Sequence, residues 1–299
     1  MGQLVGKWIV VFLQGLAIGV ANVIPGVSGG TMALIFGIYV KLIALLSDLF
    51  KAALSLVRFD FGKTKQLLAP IPWGFLAVLG AGILVAPLAG AALIPGLLDA
   101  WPEHSRSLFF GLILGTIPIP WIRIEKRQFN QVLLLIVAAA ISFVIVGLPP
   151  AQVANPSLIT IFFSAALAIC AMILPGVSGA FILLVIGMYA PIFAAIDARD
   201  FAVILVFALG AGVGLGSFAV VLKMLLEKAH DATMAALVGL MVGSLRSLWP
   251  WLSEDRSLLI PESFTGLSPI ILLGVLGLAI SAAMTAWELK ANNRRSDGH

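Results

Sequence analysis

The chain has 299 residues, of which 61% are hydrophobic and only 11% charged, with a formal net charge of +4 and a mean hydropathy of +1.12. So few polar side chains cannot cover a soluble globule, and the composition predicts an all-α polytopic membrane protein. The basic residues concentrate in a few loops, which is a signature of membrane topology and not of nucleic-acid binding. A single cysteine, Cys170, excludes a disulfide framework, and the scattered His104, His230 and His299 suggest no metal site.

The first apolar segment, 8–24, follows Lys7 as a signal-peptide core would, but no small-residue cleavage site succeeds it and it reads as retained structure. It runs into Pro25-Gly26-Val27-Ser28-Gly29-Gly30-Thr31, which opens a second segment, 30–46. Asn22 and Gln14 precede the turn and can line a cavity or bond across helices. Segments 73–94, 107–120 and 131–148 follow, before an uncharged, Pro-rich connector at 148–157. Arg106 reads as an interface residue, with a position lining a cavity as the alternative.

The sixth segment, 158–174, ends in Pro175-Gly176-Val177-Ser178-Gly179, and the seventh, 180–196, begins there. Residues 21–39 and 171–189 align without a gap at an offset of 150, with nine of nineteen positions identical (Ala, Pro, Gly, Val, Ser, Gly, Leu, Gly, Tyr). That excess over chance marks an internal duplication. Segments 201–222, 234–249 and 269–287 complete a second set of five. Leu79-Gly80-Ala81-Gly82-Ile83 recurs as Leu209-Gly210-Ala211-Gly212-Val213, and Gly111-Leu112-Ile113-Leu114-Gly115-Thr116 as Gly239-Leu240-Met241-Val242-Gly243-Ser244. The glycines at 210, 212, 214 and 216 read as sites of close helix packing. Arg246, inside the ninth segment, either faces a cavity or an anion or snorkels to the outer interface.

Basic residues set the orientation. Lys51, Arg58, Lys63 and Lys65 in a loop at 47–71, Arg123, Lys126 and Arg127, Lys223 and Lys228 after the eighth segment, and Lys290, Arg294 and Arg295 mark cytoplasmic sides. Asp99, Glu103, the connector, Asp197, Asp200, Glu254, Asp255 and Glu262 mark outward loops. Each motif-bearing pair is then a hairpin, the two hairpins open to opposite sides, and both termini are cytoplasmic. The expected architecture is an inverted repeat, 1–149 and 150–299, with six crossing helices and two hairpins. Each hairpin arm has about 17 residues, roughly 25 Å of helix, short for a core of about 30 Å. The arms are full spans with tilt or re-entrant helices, and the Pro-Gly turns favour the second form.

A Gly-Val-Ser-Gly turn leading into a helix offers backbone N–H groups, a hydroxyl and the positive end of the helix dipole, an arrangement that binds phosphate. The bland alternative is a turn whose glycines permit close packing. On the two motifs and the Gly-Leu-x-x-Gly-Ser/Thr elements, the chain resembles a bacterial and archaeal membrane family associated with polyprenyl-phosphate transport. The resemblance implies that undecaprenyl phosphate, a carrier lipid of cell-wall synthesis, is returned from the outer to the inner leaflet of the cytoplasmic membrane, with no cofactor and no catalytic residue. Phosphate would be held by Pro25, Gly26, Val27, Ser28, Gly29, Gly30, Thr31, Pro175, Gly176, Val177, Ser178 and Gly179, with Asn22, Arg106 and Arg246 as further polar groups of the cavity.

Two other classes remain open. Undecaprenyl-pyrophosphate phosphatases carry a similar inverted repeat with a Pro-Gly-x-Ser-Arg-Ser signature and paired glutamates. Here Gly29-Gly30 and Gly179-Ala180 stand in place of Arg-Ser, and Glu103, Glu125, Glu227, Glu254, Glu262 and Glu288 fall neither four apart nor inside the apolar segments. A small-anion transporter would use the same turns around a closed polar cavity, whereas a lipid needs a lateral opening. No acidic residue inside the segments stands out as a coupling-ion carrier. Cysteine labelling in intact cells tests the orientation: Asn155→Cys is expected to react from outside and Lys63→Cys only after permeabilisation, and equal external labelling of both would defeat the inverted assignment.

Overall fold

The computed structural model describes residues 2–23, 28–90, 96, 100–253, 255–261 and 267–296. Ile24, Pro25, Gly26 and Val27 lie outside the described residues, as do Asp99, Glu254, Glu262 and His299. In the first half, α1 (Gly2–Val23), α2 (Gly29–Ile35), α3 (Tyr39–Val57), α4 (Phe61–Leu68) and α5 (Trp73–Gly90) are followed by α6 (Pro102–Thr116), α7 (Pro118–Ile122) and α8 (Phe129–Ile145). The second half contains α9 (Leu158–Ile173), α10 (Gly179–Val185), α11 (Tyr189–Asp197), α12 (Phe201–Lys228), α13 (His230–Ser244), a 3₁₀ turn (Leu245–Leu248) and α14 (Leu267–Ser296).

Among the described residues, four stretches are long and apolar enough to cross a membrane: Pro102–Ile122, Phe201–Lys228, His230–Leu248 and Leu267–Ala286. The number rises to six if the bent pairs α4–α5 (74°) and α10–α11 (105°) each make one span. Leu272 on α14 and Ile136 on α8 are 66% and 56% exposed, so these helices turn their apolar faces outward, as lipid-facing helices do.

Each motif-bearing arm breaks twice, once between α1 and α2 or between α9 and α10, and again after the seven residues of the short helix. α2 ends where Gly37 adopts φ +66°, and α10 ends where Gly187 adopts φ +75°. At both ends the same pair of bonds closes the helix: Gly37 N–H to Leu34 C=O and Ile38 N–H to Ala33 C=O in one, Gly187 N–H to Leu184 C=O and Met188 N–H to Leu183 C=O in the other. This is the Schellman arrangement, which satisfies carbonyls that a membrane cannot.

Pairs of helices meet through small residues. A Cβ on Gly82 of α5 would strike the Phe12 carbonyl of α1, and one on Gly210 of α12 would strike the Phe162 carbonyl of α9. Since Phe12 and Phe162 are themselves 150 apart, the packing equates Gly82 with Gly210. The like-letter match of Gly82 with Gly212 is therefore out by two residues. A Cβ on Gly212 meets nothing, so this glycine is not a packing site, whereas Gly214 and Gly216 do lie against Ala166 and Phe50. The remaining contacts cross between halves. Gly111 and Gly277 bring α6 against α14, with Ser107 donating to the Ile270 carbonyl at 2.6 Å. Gly239 and Gly243 bring α13 against α8, with Ser142 donating to the Leu240 carbonyl at 3.0 Å.

Three local expectations are corrected. The stretch 47–71 is mostly helical, because α3 continues to Val57 and Asp60 caps α4 by accepting from Lys63 N–H at 3.0 Å. Lys223 lies inside α12 and bonds Asp48 of α3 at 2.8 Å, so an acid and a base expected in loops form an ion pair between helices. Glu103, Glu227 and Glu288 also fall within α6, α12 and α14, because amphipathic ends extend each helix beyond its apolar run. In thermal melts, Gly82→Ala and Gly210→Ala are expected to destabilise by about 1–3 kcal/mol through overpacking, while Gly212→Ala leaves stability unchanged or raises it by up to about 1 kcal/mol.

Candidate functional site

The two motifs meet at the centre of the protein. Ser28, extended at φ −119° and ψ 133°, caps α2 by accepting from Gly30 N–H at 3.1 Å. Its own hydroxyl points across to the C-terminus of α9, 3.0 Å from the Leu174 carbonyl and 3.2 Å from that of Met172. In return Gly176 N–H donates to Thr31 Oγ1 at 2.9 Å. Ser28 and Thr31 are both buried, and a Cβ on Gly30 would strike the Ile173 carbonyl.

Gly176 carries the sharpest local constraint. Its φ of +83° is costly for any side chain, and a Cβ there would sit 2.8 Å from both Met241 Cα and Ser244 Oγ of α13. The second turn is thus wedged between the first motif and the Gly239–Ser244 element. Ser244 and Thr116, equivalent in the duplication, each donate one turn back, to the Met241 and Ile113 carbonyls.

The N–H groups that open the two short helices differ between copies. At α2, Gly29 N–H donates to Asn22 Oδ1 at 3.0 Å, Gly30 N–H to Ser28, and Thr31 N–H to the Ser28 carbonyl. The N–H groups of Gly29, Gly30 and Thr31 are therefore spent inside the protein. At α10, Ser178 accepts from Phe181 N–H at 3.4 Å, but Met172 stands where the duplication has Asn22 and has no amide oxygen to offer. Among the described residues, nothing accepts from the N–H groups of Gly179 and Ala180. Pro25, Gly26 and Val27 fall outside the described residues, while Pro175 and Val177 are buried in the second turn.

Arg106 and Arg246 lie apart from the turns and close to each other, through a residue that the sequence reading passed over. Arg106 donates to the Leu252 carbonyl at 3.1 Å and reaches that of Pro250 at 3.4 Å. Arg246 donates to the carbonyls of Phe143 at 3.1 Å and Arg256 at 3.3 Å and lies 4.6 Å from the Phe143 ring centre, in space left open by Gly147. Arg256 donates from Nε to the Val146 carbonyl at 2.8 Å and stacks 4.3 Å over the ring of Phe181 in α10. Burial, followed by the charges of Arg106 and Arg246, pushes the Arg256 guanidinium down to about 10. An arginine in a loop otherwise marked as outward by its acids was the available signal, since it runs against the charge rule.

An apolar cavity of about 270 Å³, partly open to the outside, lies beside the motifs, lined by Leu13, Leu16, Ala17, Val20, Ala21, Met32 and Phe109. Met32 belongs to α2, and Phe109 lies one turn beyond Arg106 on the same face of α6.

Apolar helices around a buried centre of broken backbone define a multi-pass membrane protein with discontinuous helices where its halves meet. The profile of the VCA0040-like family, described as undecaprenyl phosphate translocase-like, matches residues 18–262, and the chain belongs to that family. It is 40% identical over 240 residues to a polyprenyl-phosphate transporter of Vibrio cholerae serotype O1, covering 80% of this chain and 77% of that one. It is 33% identical over 269 residues to a polyprenyl-phosphate transporter of Staphylococcus aureus, covering 83% and 88%. No solved structure matches the chain.

The Gly176–Thr31 bond has a direct consequence. Thr31→Val keeps the shape but leaves a buried N–H without an acceptor, a change expected to cost about 1–3 kcal/mol. Thr31→Ser retains the acceptor and is expected to melt close to the parent; equal melting of both variants would show that the bond contributes nothing.

Proposed function

We propose that the chain translocates a polyprenyl phosphate, undecaprenyl phosphate or a close relative, from the outer to the inner leaflet of a bacterial or archaeal cytoplasmic membrane. The observation that carries this reading is a partly open apolar cavity on the same helix face as Arg106, one turn away. An isoprenoid tail needs an apolar opening toward lipid, and its phosphate needs donors that replace water. Family membership and two relatives named as polyprenyl-phosphate transporters support the same substrate. They also favour a transporter over a phosphatase-like enzyme, and the apolar lining argues against a small soluble anion.

In this reading the halves 1–149 and 150–299 are inverted, with six crossing helices, two re-entrant hairpins and both termini cytoplasmic. The 105° bend between α10 and α11 and the recurrence of packing glycines support it. The phosphate-handling role falls mainly on the second motif, where Gly179 and Ala180 N–H groups are uncommitted. The first motif, its donors bonded internally, serves as the fulcrum. The physical task is set by desolvation, since a bare phosphate entering hydrocarbon loses far more solvation than any single contact returns.

Protein reconstituted in liposomes is expected to move a polyprenyl phosphate between leaflets and to release no inorganic phosphate from polyprenyl pyrophosphate. Phosphate release by the unmodified protein would point to the enzyme, and transport of inorganic phosphate that the lipid does not compete away would point to the small-anion carrier.

A further inference from the structure

The three arginines share a feature that holding loops together does not require. They come from α6, from the 3₁₀ turn after α13 and from the loop beyond it, yet they converge closely enough that Arg106 and Arg246 both act on the charge of Arg256. Among the described residues, no carboxylate forms an ion pair with any of them. Glu103 lies three residues before Arg106 on α6 but forms no ion pair with it, and the Asp255 carboxylate is turned back into its own loop, accepting from Ser253 and from the N–H and hydroxyl of Ser257. The charge of Glu103 does act on Arg106, but with no ion-paired counter-ion among the described residues the three cations repel one another, and the half-buried setting weakens the solvent screening that would relieve them.

The donor inventory points the same way. A guanidinium carries five N–H donors. Arg256 commits only its Nε, to Val146, so both terminal nitrogens have no acceptor among the described residues. Arg106 commits only one terminal nitrogen, and the Nε of Arg246 is buried with no acceptor. Planar forks of this kind match the oxygens of a phosphate. Contact with Phe143 and Phe181 holds two of the guanidiniums in place, and of these Arg256 keeps both terminal nitrogens uncommitted while those of Arg246 are bonded to carbonyls.

The position is also informative. The cluster lies between the apolar cavity, which Phe109 lines one turn along α6 from Arg106, and the second motif, whose α10 begins two residues before Phe181. We propose that Arg106, Arg246 and Arg256 form a docking site for a phosphomonoester, filled in transport by the phosphate of the polyprenyl lipid as it enters from the outer leaflet. The lipid assignment rests on the translocation reading above; the anion site itself rests on the three guanidiniums. In the outward orientation the phosphate docks here first, with its leading isoprene units in the apolar cavity.

The test uses full-length protein in nanodiscs, titrated separately with a short-chain polyprenyl phosphate and with inorganic phosphate. Arg256→Gln and Arg106→Gln remove a charge while keeping an amide donor for the Val146 and Leu252 carbonyls. Each is expected to weaken polyprenyl-phosphate binding roughly tenfold to a hundredfold, the loss typical of one charge-assisted hydrogen bond. Arg256→Lys is expected to recover part of the affinity, and Lys63→Gln, an equal change in net charge far from the cluster, to leave it unchanged. Variants that bind as the parent does would overturn the site. A photoreactive polyprenyl phosphate with its label beside the phosphate, applied to unmodified protein, gives an answer independent of how the variants fold. Adducts are expected within 143–147 and 246–256, and adducts confined to other regions would overturn the proposal. Arginine-dependent binding of inorganic phosphate but not of the lipid would keep the anion site and remove the translocation reading. Lipid binding and transport that ignore all three arginines would do the reverse.

Discussion

The structure depends on a reciprocal pair of hydrogen bonds between the two halves. Ser28 of the first motif donates to the backbone at the end of α9, and Thr31 accepts from Gly176 of the second. Both bonds answer the same constraint: backbone that leaves a helix within a membrane finds no water and must be satisfied by protein. The side chains of Ser28 and Thr31 satisfy backbone groups of the second arm, whereas the opening of α2 in the first arm is held within its own half by Asn22 and Ser28. The short helices α2 and α10 then follow, each closed at its far end by the same glycine-based cap.

This dependence explains how the outer helices are arranged. The fourth segment of each half packs on the fifth of the other, α6 on α14 and α13 on α8, through glycines that let backbones approach within side-chain reach. Between apolar helices in lipid, close approach and interhelical hydrogen bonds replace the hydrophobic drive that water would supply. Ser107 to Ile270 and Ser142 to Leu240 are such bonds. The interlocked halves leave the turns enclosed, with an apolar opening on one side and a cluster of arginines near the second turn.

The two copies differ at the openings of their short helices. Asn22 and Met172 occupy equivalent positions, yet only the asparagine can accept from the helix opening beside it. A duplication that began symmetric thus has one motif bonded internally and one with donors to spare. The arginines are likewise asymmetric, because two of the three lie after α13 and the third begins α6. A path that takes a charged headgroup from one side to the other gains from this polarity, since capture and hand-over need not be chemically alike.

Much of this was legible in the chain alone. Composition demanded a membrane, because the apolar residues exceed what a soluble surface tolerates. The offset of 150 marks a duplication in the letters, and the second turn, where Gly176 adopts φ +83°, was legible because backbone geometry that favours glycine leaves a direct trace there. Helix ends were misread wherever charge extends a helix past its apolar run, as in α3 and α12, because hydropathy reports burial in lipid and not the end of hydrogen bonding. Tertiary structure alone decided which glycines pack. Gly212 matches Gly82 in letters, but the direction of its Cβ sends it to open space. It alone also decided that Ser28 and Thr31 bond to the opposite half, and that Arg256 joins Arg106 and Arg246. Residues 150 positions apart in a sequence carry no mark of their meeting, because proximity arises from how whole helices pack and not from any local preference.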